Sequence, residues 1–174
     1  MNELETRLTQ VKHFQCVHEH LFTSGQPSAD DLAQIKAYGI TTVINLALNT
    51  PEHALANEDQ RCLALGLNYL QIPISLDTPS PDQCLLVLDL IDHLVAEQML
   101  WVHCDNNQQV SSLMYIYRQY YMNIDMPTAQ ALLHEVWEPD STWTGLIHAV
   151  TLQLQGRKAT QELNLSLMKA DHFA

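Results

Sequence analysis

Short apolar runs alternate along this chain with longer amphipathic stretches, and turn residues mark the joins. Thr41-Thr42-Val43-Ile44-Asn45-Leu46 is β-branched and mostly apolar, the pattern of an interior strand covered on both faces. His20-Leu21-Phe22-Thr23 predicts a short strand closed by Ser24-Gly25-Gln26-Pro27. Residues 69–74 predict another, with Pro73 at its exit, and residues 99–103 a further one. The helices between them carry marked ends. Ser28-Ala29-Asp30-Asp31 has the Ser-x-x-acid form of a capping box, and Gly39 stops the helix that it opens. Thr50-Pro51-Glu52 sets a cap, a first-turn proline and an acid in order, which predicts a helix from there to Leu65, ended by Gly66. Ser80-Pro81-Asp82-Gln83 opens a helix expected to reach about Gln98, and a further helix is expected over 111–122. From Pro127 on the chain reads helical in two or three pieces, broken at Trp137-Glu138-Pro139, and the first ten residues read as a short helix or a frayed end.

Strands alternating with helices predict an α/β sandwich: a small, mostly parallel sheet flanked by helices on both faces. The whole of 1–174 reads as one domain, with a core over about 14–150 and a carboxyl-terminal helical tail over about 151–174. In that tail Leu163, Leu165 and Leu167 alternate with polar residues, which predicts packing on the domain or on a second subunit. Sheets of this kind hold ligands beyond the carboxyl ends of their strands. Cys104 stands at such an end, as do the residues after Leu46 and the loop around Asp77.

Composition narrows the partners. The net charge is −12, with only eight Lys and Arg residues and none of them between 99 and 117. Such a surface excludes nucleic acid and anionic membrane as partners, and it works against long-range capture of a phosphorylated substrate. The apolar runs are too short to span a bilayer, and the amino end shows no basic stretch followed by an apolar one, so a cytoplasmic address is expected. Cys16, Cys62, Cys84 and Cys104 are irregularly spaced with no Cys-x-x-Cys, and are expected to be free thiols. Nine histidines include one close pair, His18-x-His20, for which no third ligand can be assigned; no metal and no cofactor are expected. Tyr115, Tyr117, Tyr120 and Tyr121 cover more than one face of their helix and read as core packing with some exposure, and Trp137 and Trp143 as closing the core.

The segment with the most chemistry is 99–112, an apolar strand that ends in His103-Cys104 and passes through a polar loop into a helix. A thiol placed there faces open backbone N–H groups and the positive end of a helix dipole. Both favour an anion, and both are expected to lower the thiol pKa.

This segment resembles the phosphate-binding loop of the cysteine-dependent protein phosphatases, whose signature is His-Cys, five residues, Arg, then Ser or Thr. Ser24-Gly25-Gln26-Pro27, Val43-Ile44-Asn45-Leu46, Ile72-Pro73-Ile74, Val102-His103-Cys104 and the Trp137-x-Pro139 and Trp143 region occur in that order over roughly 14–150. As a set they resemble the bacterial proteins called DUF442, related to the dual-specificity phosphatases. The resemblance implies a protein-tyrosine-phosphatase-like fold with Cys104 as nucleophile and His103 setting the loop and the thiol pKa. It implies Ser111 as the hydroxyl that assists the departing thiolate and Asp77 as the general acid, with Asp82 the second candidate. Asp82 also fits a first-turn helix acid, and Asp77 a solvated turn acid. Asp105, Asn106, Asn107, Gln108, Gln109 and Val110 would line the phosphate site.

The signature arginine has no counterpart. Its position holds Val110, or Gln109 if the loop is one residue shorter; Asn107 replaces the usual Gly, and Asp105 adds negative charge. Arg118 and Arg61 are the cations weighed as substitutes, Arg118 reading rather as a surface or packing residue of its helix. Removing one oxyanion donor costs about 2.7–4 kcal/mol, so a loss of roughly a thousandfold in rate is expected. Three functions stay open: an anion- or partner-binding protein with weak or lost phosphatase activity, an active cysteine-dependent phosphomonoester hydrolase, and a thiol-based enzyme or redox sensor. The first two imply a phosphorylated small molecule, a phosphoprotein or a simple anion as partner.

Overall fold

The computed structural model describes residues 3–50 and 52–171. Five strands make one sheet: β1 (Gln15–His18), β2 (Leu21–Ser24), β3 (Thr42–Asn45), β4 (Asn68–Gln71) and β5 (Leu100–His103), in the order β1-β2-β5-β3-β4. β1 and β2 form an antiparallel hairpin, and the remaining pairs run parallel. The helices are α1 (Glu3–Leu8), α2 (Ala29–Tyr38), α3 (Glu58–Ala64), α4 (Pro81–Leu94), α5 (Gln108–Tyr120), α6 (Met126–His134) and α7 (Ser141–Asp171).

The strand alternation sorts side chains into two cores, one on each face of the sheet. Leu21, Ile44, Leu100 and Val102 pack with α4, α5 and α7. Phe22, Val43 and Trp101 pack with α1, α2 and α3. The expected sandwich with helices on both faces is therefore present, and β2, β3 and β5 are buried along their full length.

Capping chemistry sets the helix ends. Ser28 and Asp31 form the expected reciprocal box, and Gly39 closes α2 at φ +113°. Ser80 caps α4 with Pro81 in its first turn. The helix expected from residue 50 starts instead at Glu58. Pro51 lies outside the described residues, Asn57 enters the helix in a left-handed conformation, and Arg61 Nε donates to the Ala56 carbonyl just before it. The helix expected from 111 begins earlier, at Gln108, for a related reason: Asn107 turns the chain at φ +61° and makes the first turn possible there. β1 carries no periodic signal, being a four-residue edge strand with a mixed burial pattern. His20 lies in the turn between β1 and β2, where its N–H donates to His18 Nδ1 and its ring pairs with the Val95 carbonyl.

Trp143 is fully buried, and Trp137 lies edge-on to it at 6.2 Å. The last core residue of α7 is Leu154. Beyond it an Arg157–Asp89 ion pair at 2.9 Å ties the helix to α4, and Leu163, Leu165 and Leu167 are exposed rather than packed on the domain. No helix among the described residues is long and apolar enough to cross a membrane.

Candidate functional site

β5 lies between β2 and β3 with their carboxyl ends level: Ser24 and Asn45 both stand opposite His103. The next residue, Cys104, therefore emerges at the middle of the sheet edge, walled by the segments that follow β2 and β3. Backbone bonds fix it there. Cys104 N–H donates to Ser24 O (3.4 Å), Leu46 N–H to His103 O (2.8 Å) and Gln26 N–H to Asp105 O (3.2 Å). Asn107 is buried and spends its amide on scaffolding: Nδ2 donates to the His13 carbonyl at 2.7 Å and to Thr23 Oγ1 at 3.5 Å.

Gly25 has no room for a side chain. A Cβ there would stand 2.9 Å from Asp105 O and 3.3 Å from Lys12 O, both backbone atoms that cannot swing aside. We expect Gly25→Ala to cost about 1–3 kcal/mol in urea unfolding and to shift the Asp105 and Asn106 amide resonances; a variant as stable as the parent with unmoved resonances would show that this contact does not shape the loop.

The loop folds around the sulfur. The backbone N–H groups of Asn106, Gln109 and Val110 are all directed at Cys104 Sγ. The thiol itself has no exposed surface. Burial pushes it up to about 11, and the Asp105 carboxylate adds to the rise. This reverses the expected lowering. The three N–H groups do favour the thiolate, but they do not offset the loss of water.

Beneath the loop is a polar layer of which sequence reasoning found only His103. His103 Nε2 stands 2.7 Å from Glu58 Oε1, with the two side chains 0% and 4% exposed. Asn45 Nδ2 donates to Glu58 Oε2 and to Tyr69 OH, each at 3.1 Å, and Asn45 Oδ1 accepts from Ala47 N–H. Burial pushes the Tyr69 hydroxyl up to about 12, partly countered by the Asn45 bond. In the sequence Glu58 falls inside the helix expected from residue 50 to Leu65, and nothing there marks it as the partner of His103.

The other predicted residues divide into those at the loop and those away from it. Val110 is fully buried in the core cluster with Leu46, Ile74 and Leu113, so the signature-arginine position belongs to the apolar interior. Gln109 is buried and its amide donates to the Ile74 carbonyl at 3.4 Å, leaving its backbone N–H as its contribution at the sulfur. Ser111 is buried, and its hydroxyl donates to the Gln108 carbonyl at 3.2 Å. Asp105, Asn106 and Gln108 are half-buried.

Asp77 is exposed on the segment after β4, which is pinned by Ile74 N–H to Leu46 O and by Trp143 Nε1 to Leu76 O at 2.8 Å. Asp82 is exposed in the first turn of α4. Arg118 is 3% exposed and donates to Gln15 Oε1 at the opposite end of α5, a packing residue as expected, while Arg61 is bonded to Ala56 O. The cation that does meet the loop is one that sequence reasoning passed over: Lys12 Nζ donates to Asn106 Oδ1.

No protein-family model matches the chain, and no curated protein matches its sequence. Solved structures do match in shape. A phosphatase-like DUF442 protein from Shewanella putrefaciens CN-32 superposes with a TM-score of 0.76 at 23% identity, over 86% of this chain and 97% of that one. The catalytic domain of the PP-IP phosphatase SIW14 from S. cerevisiae, in complex with citrate, gives 0.69 at 13% identity, over 87% and 93%. PTPMT1 in complex with PI(5)P gives 0.71 at 10% identity, over 83% and 98%. What the chain shares with these proteins is architecture: it has the fold of the DUF442 and dual-specificity-type phosphatases, with Cys104 at the end of its central strand.

Proposed function

We propose that this protein binds an oxyanion, such as the phosphoryl group of a small molecule or phosphoprotein, in the Cys104 loop and turns it over slowly or not at all. One observation carries the reading: three backbone N–H groups converge on the Cys104 sulfur, while the position that would supply the charge, Val110, is sealed in the core. The cradle offers N–H groups but no arginine of its own. Burial raises the thiol pKa, so little of the thiolate nucleophile is present at neutral pH. The absent guanidinium removes roughly a thousandfold of transition-state stabilisation. Both losses fall on the chemical step, and neither removes the N–H groups that would hold an anion.

The test is hydrolysis of an aryl phosphate at pH 5 to 7 by the wild type and by Cys104→Ser. Equal rates, both at background, are expected. Turnover lost in the variant would support the alternative, an active hydrolase. In that reaction the Cys104 sulfur attacks phosphorus as the ester P–O bond breaks, Asp77 protonates the leaving oxygen, and water then cleaves the cysteinyl phosphate. Cys104, Asp77, Ser111 and His103 are all retained for it. The thiol-sensor reading is the least supported, because the sulfur has no exposed surface and a raised pKa.

A further inference from the structure

We propose that Lys12 is the cation of this site: on anion binding its ammonium leaves Asn106 and pairs with the oxyanion held by the Cys104 loop. The inference rests on the reading of the loop given above. It begins from a charge deficit. Cys104 is followed by Asp105, whose half-buried carboxylate opposes any anion, and no Lys or Arg lies between 99 and 117. In an acidic chain, a positive charge supplied to this loop from another element would strengthen its hold on an oxyanion.

Lys12 is placed to supply it. Its Nζ donates to the side chain of Asn106, 94 residues away in sequence, and the backbone N–H of that same Asn106 is one of the three directed at the sulfur. The main chain around Lys12 is riveted to the loop. Gly25 N–H donates to Lys12 O at 2.7 Å, Asn107 Nδ2 donates to the carbonyl of His13 at 2.7 Å, and Gly25 in turn sits against Asp105 O. The part left free is the lysine side chain, which is exposed and rotatable. Its present partner is a neutral amide oxygen. An oxyanion is the stronger acceptor for an ammonium, so the exchange is favourable once the anion is in the cradle.

The other cations are committed elsewhere. Arg7 pairs with Glu3, Lys36 with Gly66 O, Arg61 with Ala56 O, Arg118 with Gln15 and Arg157 with Asp89. Lys158 and Lys169 belong to the outer part of α7. A lysine at the rim also fits the character of the site. It is a point charge on a flexible stem, able to hold an anion but without the planar fork that grips two phosphoryl oxygens through an in-line displacement.

The test uses tungstate as a phosphate-like probe, titrated calorimetrically into the full chain at low salt, with the amide resonances of Asn106, Gln109 and Val110 locating it. Lys12→Met is expected to weaken binding by about tenfold or more and to remove most of its salt dependence. Lys12→Arg should restore both. The melting temperature of Lys12→Met should stay within about 2 °C of the parent, as for an exposed side chain. Tungstate that still shifts the three amides with undiminished affinity in Lys12→Met would overturn the role of Lys12 and leave the loop reading standing. Weakened binding accompanied by a marked loss of melting temperature, unrestored in Lys12→Arg, would also overturn it by making Lys12 a brace for Asn106. A wild type in which tungstate leaves the three amides unmoved would overturn both readings.

Discussion

Val110→Arg should melt about 10 °C below the parent in plain buffer and recover much of that loss when tungstate is added. Val110 has no exposed surface and sits in the apolar cluster with Leu46, Ile74 and Leu113. A guanidinium introduced there without a counter-charge is an unpaired buried ion, which costs about 3–5 kcal/mol. In a chain of this length each kcal/mol shifts the midpoint by roughly 2–4 °C. If the new side chain turns out of the core toward the cradle of Asn106, Gln109 and Val110 N–H groups, an oxyanion bound there would neutralise it. Stability would then depend on ligand concentration far more steeply than in the parent. The same cation beside Cys104 should bring its thiol down from about 11, so aryl phosphate turnover should rise above the parent's. Thermal shift with and without tungstate, followed by a rate assay, checks both halves. A variant as stable as the parent in plain buffer would mean that position 110 opens to solvent, and the account of a sealed loop would be wrong. Unchanged turnover and tungstate affinity would show that the missing charge is not the defect.

Glu58→Ala should destabilise the fold by about 3–5 kcal/mol, more than any surface acid of this chain. One carboxylate serves three groups: the His103 ring at 2.7 Å, the Asn45 amide at 3.1 Å and the Tyr69 hydroxyl at 3.5 Å. Removing it takes one of two acceptors from the Asn45 amide and the close carboxylate from the imidazole, where water cannot replace them because His103 and Asn45 have no exposed surface. Each buried polar group that loses a partner costs about 1–3 kcal/mol. Glu58→Gln keeps the volume and one acceptor oxygen, and should fall between the two. The damage should reach the site as well. His103 and Asn45 stand side by side at the strand ends that carry Cys104 and Leu46, so the Cys104 amide resonance should move in Glu58→Ala. Urea unfolding checks the energy and the resonance checks the reach. A loss under 1 kcal/mol would mean that water enters the space and takes over the bonds.

Much of this architecture could be read in the chain because it is written locally. Ser28 with Asp31, Gly39 and Ser80 with Pro81 are short-range chemistry, and the strand at 42–45 announces itself by being apolar throughout. The elements misplaced are those whose limits depend on tertiary neighbours. α3 starts only where Asn57 takes a left-handed conformation, and α5 only where Asn107 does the same with its amide held by His13. The position of Cys104 was legible for the same local reason, as a thiol between an apolar strand and a helix. Its pKa was not, because burial is a property of the assembled core and outweighs the dipole that the sequence implies. Lys12 and Glu58 were invisible as site residues since each reaches the loop or the layer below it from a distant part of the chain.

The place of β5 in the sheet has a consequence for the order of events during folding. The strand order β1-β2-β5-β3-β4 puts the last strand in sequence at the centre, between β2 and β3. Until residues 100–103 arrive, the β1–β2 hairpin and the β3–β4 pair have no shared ladder, and each presents an unpaired edge to the other. Insertion of β5 joins both at once through contacts of large sequence separation, the kind that form slowly. The loop around Cys104 grows directly from that strand and is tied to both of its neighbours. In this topology the site cannot assemble before β5 closes the sheet, and a chain stopped before β5 is left with two strand edges open to association with other chains.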